Sequence, residues 1–327
     1  MKILYDPIHK YMRFDSLLMS IIDTPEFQRL RNIKQLGLCY YVFPGACHNR
    51  FEHSLGVCHL SGLLIKNLQE NQPELGITNR DVQLVKIAGL VHDLGHACFS
   101  HFFDHHFLKS KLKKGNPNIE HEYRSIMLFN YIINKYDIPI TPEECKIIED
   151  MINPQDDNLS FKYQIVANKR NGLDCDKFDY IARDTYNIGL SYSFDSSRLI
   201  MYAKVIDDII CYPEKCYSDI FDLYYTRYKL FKQIYTHPCV RAVEFMVLDV
   251  LNLSDEKFKL SEQVNDIEKF IKLTDNILDI IDYCDTLTEE RKIIFRIKIR
   301  ELYKLVADVS NRKFNMKKFK SIIKKKI

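Results

Sequence analysis

Apolar residues recur at intervals of three and four along most of the chain, and this spacing restricts the fold more than any other feature. In "SLLMSIIDTPEFQRLRNIKQLG", Leu17, Leu18, Ile21 and Ile22 fall on one helical face. Thr24 follows as an N-cap, with Pro25 at the first helical position and Glu26 in the first turn. These signals predict a second helix, which Gly37 stops. "RFEHSLGVCHLSGLLIKNLQ" gathers Leu55, Cys58, Leu60, Leu63 and Leu64, and "TNRDVQLVKIAGLVHDLGH" opens on a Thr78 or Asn79 cap and carries Val82, Val85, Ala88 and Leu90. The period continues in "HEYRSIMLFNYIINKY", "TPEECKIIEDMI", "SDIFDLYYTRYKLFKQIYTH", "VRAVEFMVLDVL", "NDIEKFIKLTDNILDII" and "ERKIIFRIKIRELYKLV". Gly and Pro number only ten each in 327 residues, which argues against a turn-rich all-β fold.

The reading is therefore an all-α fold with at most a short β-hairpin, "AKVIDDIICYPE", turning at Asp207–Asp208. "KSKLKKGNPNIE" reads as a long exposed loop. No repeat and no Gly/Ser-rich linker interrupts the chain. We expect a main body at 1–259 and a helical segment at 260–327 packed on it, ending in a basic tail. That tail, "NRKFNMKKFKSIIKKKI" from Asn311 to Ile327, holds eight Lys/Arg and no acid, leaving 39 basic against 44 acidic residues in the rest. A solvated end is the preferred reading, ahead of a nucleic-acid contact. No apolar run reaches membrane-spanning length and the first residues do not form a signal peptide, so no membrane role and a cytoplasmic or nuclear location are expected. The ten cysteines form no CxxC pair and read as free thiols.

The chemistry is concentrated in "LVHDLGHACFSHFFDHHF", Leu90 to Phe107, which holds five of the eleven histidines. His92 and Asp93 follow directly on an apolar helix. Adjacent helical residues lie roughly 100° apart, so both side chains can lean toward one point. An imidazole and a carboxylate there are natural metal ligands, and an ionised carboxylate at the end of a core helix needs a partner. "HNRFEHSLG" adds His53, and "NGLDCDKFDYIARD" adds Asp174, Asp176, Asp179 and Asp184. His53, His92, Asp93 and one later Asp make a two-nitrogen, two-oxygen set suited to Mn²⁺, Fe²⁺ or Zn²⁺, with open positions for a hydroxide-like water. His96, His101 and His121 are then supporting or substrate groups, and Arg50 and Lys177 are candidates for phosphate oxygens.

The H…HD…D order resembles the HD-domain metal phosphohydrolases. Longer stretches are more specific: "DPIHKYMRFDSLLMSIIDTPEFQRLRNIKQLGLCYYVFPGACHNRFEHSLGV", "IAGLVHDLGHACFSHFFD", "IVANKRNGLDCDKFDYIARD" and "KLTDNIL". They resemble the SAM- and HD-domain-containing deoxynucleoside triphosphate triphosphohydrolases of vertebrates, from Lys2 to about Val306. The resemblance covers the HD core, with no counterpart of the SAM domain and with the short basic tail in place of the C-terminal lobe.

It implies a mainly helical HD fold and hydrolysis of a dNTP to deoxynucleoside and triphosphate. By the motif "D-x-D-K-x-D-Y", the metal ligands would be His53, His92, Asp93 and Asp176, with Asp174 the alternative to the last. His101 would protonate the leaving oxygen, tuned by Asp104. His96 and His121 would hold phosphate or a second metal such as Mg²⁺. Arg50, Lys177 and Arg227 would hold the triphosphate. Gln35 and Asp184 would bond the 3′-hydroxyl, while Leu36, Tyr180 and Tyr235 would pack on the sugar and exclude a ribose.

Departures from the family pattern are Phe231 and Thr236, near base and phosphates, which imply altered activity. For activation by GTP, dGTP or dNTPs, the resemblance points to Lys2, Asp23, Gln28, Arg31, Arg198, Lys215, Arg300 and Lys304. Tyr5 and Pro213 depart from that pattern. It also implies a homo-oligomer, dimer or tetramer. Two rivals are an HD enzyme acting on another phosphate ester and a non-catalytic binder of nucleotide or nucleic acid. The deoxyribose set opposes the first and the complete ligand set opposes the second.

Overall fold

Helices carry most of the described chain, as the apolar spacing requires. A computed structural model of the protein describes residues 1–155 and 160–305. The main helices are α1 (Ser16–Ile22), α2 (Pro25–Gln28), α3 (Arg50–Asn71), α4 (Asn79–Val91), α5 (His121–Lys135), α6 (Pro142–Ile152) and α7 (Cys175–Ile188). They continue with α8 (Ser197–Tyr202), α9 (Tyr217–Leu230), α10 (Pro238–Phe258), α11 (Ile277–Tyr283) and α12 (Thr288–Lys298). The basic tail lies outside the described residues. No helix of the described residues is long and apolar enough to cross a membrane.

The long helix α3 is the axis of the fold. It packs on α4 and α7, while α4 also packs on α6. Capping starts these helices where the sequence signals it. Thr78 accepts from the Asp81 backbone and Asp81 reciprocates, a complete capping box. Thr24 caps α2 with Pro25 at its first position. Leu55, Val57, Cys58, Leu60 and Leu64 of α3 face Val82, Val85, Ala88 and Leu90 of α4 within one apolar cluster. That cluster extends to Leu260, Phe270, Leu273, Ile281, Ile294 and Ile297 from the last third of the chain.

Two features differ from the sequence expectation. The helix begun at Pro25 does not run to Gly37: it gives way to a tight turn at Arg29–Asn32, and Gly37, at φ +50°, opens another turn at Gly37–Tyr41. Past that turn the backbone bonds go to distant partners: Lys34 N–H donates to Asp275 Oδ2, Gln35 N–H to the His48 carbonyl, and the Ile33 carbonyl accepts from Arg50 N–H, while the Arg29 guanidinium donates to the carbonyls of Leu94, Ile271 and Leu273. The second difference is an additional hairpin. Besides the expected pair (Lys204–Ile206 with Ile209–Cys211, turning through Asp207 and Asp208 at positive φ), an amino-terminal hairpin pairs β1 (Lys2–Asp6) with β2 (Lys10–Phe14). Its signal was the alternation in β2, where Met12 and Phe14 are buried and Tyr11 and Arg13 exposed.

Candidate active site

His53 sits in the first turns of α3. Helix α4 ends at Val91, which leaves His92 and Asp93 at its carboxyl end. Asp174 caps α7, accepting from the Lys177 backbone N–H, and this use of its carboxylate places Asp176, in the first turn, toward the two imidazoles. His53 Nε2 lies 3.1 Å from Asp176 Oδ1 and 3.4 Å from Asp93 Oδ2. His92 Nε2 lies 3.6 Å from both Asp93 Oδ1 and Asp176 Oδ1. Neither ring nitrogen has a hydrogen-bond partner of good geometry although both are buried, and the ligand atoms of His53, His92 and Asp176 lie within 4.8 Å of one another. Orphaned buried acceptors beside carboxylates cost free energy unless something binds them, and two imidazoles with two carboxylates are a divalent-cation donor set. The residues present fit such an ion.

Protons compete with an ion for the same groups. Burial pushes the Asp176 carboxyl up, but the two imidazoles outweigh it and hold the group below the usual carboxylate range. Burial would lower His53, yet Asp176 and Asp179 outweigh it and push the imidazole up to about 10. Asp93 is held well below its ordinary value against burial, first by Arg50, whose Nη1 is 2.5 Å from Asp93 Oδ2.

A second group adjoins the first. His96, His101, Asp104 and His121 also converge within 4.8 Å, and Asp93 borders both groups, with His96 Nε2 at 3.3 Å from its Oδ1. The His96 and His121 rings stack with centroids 4.0 Å apart. Both ring nitrogens of His96 and Asp104 Oδ2 are buried without hydrogen-bond partners. Asp104 is the second residue of the wide π-helical turn Phe103–Leu108, a distortion that frequently marks functional sites. Arg124 anchors it with a 2.5 Å bond from Nη2 to Asp104 Oδ1. Just before His101, Phe99 and Ser100 take φ values of +61° and +58°, a strained conformation for side chains of that size. Asp275 holds the strain in place by accepting from the Phe99 backbone N–H at 2.7 Å, and Ser100 Oγ donates to the Lys34 carbonyl.

Both groups meet one cavity of about 510 Å³. His92, Asp93, Asp176, His101 and His121 line it, while His53, His96 and Asp104 lie beneath. Its walls also carry the expected Arg50, Lys177 and Arg227, and Gln35, Leu36, Tyr180, Asp184 and Tyr235. Asp184 accepts from His48 Nε2 at 2.7 Å on one oxygen and from Tyr235 Oη at 2.5 Å on the other, which leaves each oxygen room for a further donor. Gln35 Oε1 is buried and unpartnered. Tyr235 ends a second π-helical turn, Phe231–Tyr235. Phe231 lines the cavity, whereas Thr236 turns back to donate to the Phe231 carbonyl.

The positions expected to bind an activator lie elsewhere. Lys2, Asp23, Gln28, Arg31, Arg198, Lys215, Arg300 and Lys304 do not line the cavity, and all except the half-buried Gln28 are exposed. Arg31 donates to Gln28 Oε1 and covers the Phe51 ring, Arg198 pairs with Asp219, and Lys215 covers Tyr202.

Sequence reasoning missed several supporting groups: His48 behind Asp184, Arg124 behind Asp104 and Asp275 behind the strained loop; it offered Asp179 as one of four possible ligands, not as the partner that pairs with Arg183 behind His53. Only the last left a local signal, an acid and a base four residues apart on a helix.

Comparison with known proteins adds to the geometry. Residues 50–184 match the HD domain family. The chain is 42% identical, over 94% of its length, to the deoxynucleoside triphosphate triphosphohydrolase SAMHD1 of Bos taurus and to that of Homo sapiens. It is also 42% identical over 94% to the SAMHD1 homolog of Dictyostelium discoideum. The chain spans 59%, 55% and 60% of the length of these relatives.

Proposed function

We propose that this chain, whose residues 50–184 match the HD domain family and which is similar over 94% of its length to deoxynucleoside triphosphate triphosphohydrolases, is a divalent-metal-dependent hydrolase converting a dNTP and water to deoxynucleoside and triphosphate. One observation carries the reading: a single cavity joins His92, Asp93 and Asp176, with the unpartnered Nε2 atoms of His53 and His92 between them, to three cations and to Asp184, Tyr235 and Gln35.

His53, His92, Asp93 and Asp176 would hold the ion, of the Fe, Mn or Zn type, which when bound supplies Lewis acidity toward a phosphoryl oxygen and activates water. Arg50, Lys177 and Arg227 neutralise the triphosphate as water leaves, a task that suits fixed cations in a cavity. The bond from the α-phosphorus to the 5′-oxygen would break as the water oxygen joins phosphorus and releases a proton to solvent, and the 5′-oxygen would take a proton from His101, which is later restored from solvent. Burial, with His121 and Arg50, pushes the His101 imidazole down to about 3 in the free site, so the proton has to arrive with the substrate: a triphosphate beside His101 in the cavity favours its charged form. Asp104, with His96 and His121 around it, sets the charge at that end and offers a place for Mg²⁺ or phosphate.

Asp184 and the free Gln35 oxygen receive the 3′-hydroxyl. Leu36, Tyr180 and Tyr235 wall the sugar, so a 2′-hydroxyl would be buried without a partner and penalised. The surface set from Lys2 to Lys304 supports activation by GTP, dGTP or dNTPs linked to homo-oligomer formation. The expected location is the cytoplasm or nucleus.

The test is product analysis of the purified protein with Mg²⁺ and Mn²⁺, each dNTP, and GTP or dGTP as activator, beside Asp93→Ala. Deoxynucleoside plus intact triphosphate, lost in the variant, is the expected result. Diphosphate, orthophosphate, or turnover of ribonucleotides alone would replace this reading with another HD chemistry.

A further inference from the structure

The amino-terminal hairpin does more than cover the core. At the end of β1, Asp6 Oδ1 accepts from the backbone N–H groups of Ile8 and His9, both at 2.9 Å, which fixes the turn. His9 Nε2 then donates to Asp179 Oδ1 at 2.6 Å. The other oxygen, Oδ2, accepts from His53 Nδ1 at 2.7 Å. One carboxylate thus joins an imidazole from the hairpin to an imidazole from α3. Arg183 braces the join, with Nε on Oδ2 and Nη2 on Oδ1 at 2.9 Å and Nη1 on Asp6 Oδ2 at 2.8 Å. The Asp179 and Arg183 side chains are fully buried, and His9 is 10% exposed. Gly56 makes the approach possible: a Cβ there would stand 1.8 Å from Asp179 Oδ1.

Asp179 is acceptor-only, so His53 must carry its proton on Nδ1 in that bond, and Nε2 is left facing Asp93 and Asp176. We propose that His9 is a positioning residue for the metal centre, acting through Asp179 to hold the ring plane and tautomer of His53, so that the amino-terminal hairpin is part of that centre. This rests on the metal reading above. Without His9, Asp179 Oδ1 keeps only Arg183, and the carboxylate can turn away from the plane that aligns His53. Partners behind a metal-bound histidine tune its orientation and affinity.

The experiment is a Co²⁺ titration of the metal-free full chain, followed by visible absorption. Wild type, His9→Phe (ring kept, donor lost) and His9→Gln (an N–H donor kept) are compared, with Asp93→Ala as control. His9→Phe should bind Co²⁺ about tenfold more weakly, at the lower end for an outer partner, and His9→Gln should recover most of that loss. A second measurement needs no metal and no Phe variant. In ¹⁵N-histidine-labelled wild type, the His9 ring N–H bonded to a buried carboxylate should give a slowly exchanging imidazole signal that His9→Gln removes.

Co²⁺ affinity unchanged in His9→Phe, a Gln variant as weak as the Phe variant, or no His9 ring N–H signal in wild type would each overturn the positioning role. Wild type that binds no Co²⁺, or binds it equally after Asp93→Ala, would instead overturn the metal reading on which the role depends.

Discussion

Replacing Arg124 by Met should be among the most damaging single changes outside the ligand set. Arg124 is fully buried and donates to Asp104 Oδ1 at 2.5 Å, to the Gly95 carbonyl at 2.9 Å and to the Asn118 carbonyl at 2.6 Å. Asp104 is equally buried and its Oδ2 already lacks a hydrogen-bond partner. Removing the guanidinium therefore strands a buried carboxylate, and breaking one side of such a pair costs about 3–5 kcal/mol. One term offsets part of this. Arg29 stands on the same Phe270 ring, its centre 4.9 Å from the centroid against 5.5 Å for Arg124, and burial together with Arg124 lowers its pKa to about 9. Losing Arg124 relieves that repulsion, so the expected cost is about 3 kcal/mol, the low end of the range.

A double-mutant cycle separates this from simple loss of packing. Asp104→Asn alone leaves Arg124 charged and unpaired, at a similar cost of about 3 kcal/mol, whereas the double variant buries no lone charge. Urea unfolding of the four proteins should show the double variant losing about 3 kcal/mol less than the summed single losses. Additivity within about 0.5 kcal/mol would refute the argument that the pair's charges, and not its volume, hold the His96–His121 end of the site together.

Two further outcomes follow from the loop and the glycines. Burial raises the Asp275 carboxyl to about 6 despite its two backbone donors, so the folded state holds a proton that the unfolded chain releases near its ordinary value of 3.8. A raised acid favours the fold at low pH, and that contribution is lost as pH rises from about 4 through 6. Relative to Asp275→Asn, the wild type should lose about 3 kcal/mol across that window in urea titrations, and a flat difference would contradict the burial argument. At Gly95 a Cβ would meet the His121 carbonyl oxygen at 2.1 Å and the Ser125 nitrogen at 2.4 Å, both backbone atoms that cannot swing aside. Gly95→Ala should therefore cost about 3 kcal/mol or more in the same assay. Gly76→Ala, at φ +62° with nothing within 4 Å, should cost only about 1–2 kcal/mol. Equal losses would show that the close approach of α5 to the His92–His96 turn is not what requires a glycine.

The chain's own residues settled the helical class and most helix starts, because three-four spacing and caps such as Thr24 and Thr78 act within a few residues of one another. His53, His92 and Asp93 were legible as chemistry for the same reason: an acid and imidazoles set into apolar stretches are costly unless used. The choice of Asp176 over Asp174 was reached only through the family motif. In the structure Asp174 caps its helix, whereas Asp176 Oδ1 lies 3.1 Å from His53 Nε2. Where a residue's role depends on groups far along the chain, local pattern is silent. His9 meets Asp179, His48 meets Asp184, Arg124 meets Asp104 and Asp275 meets Phe99 across separations of 170, 136, 20 and 176 residues. Lys34 and Gln35 likewise give their backbone N–H groups to Asp275 and His48 and not to a continuing helix. Helix formation is decided by neighbours in sequence, whereas the partners that fix tautomers, saturate carboxylates and hold a strained loop are chosen when the helices pack, and only then do buried donors and acceptors have to find one another.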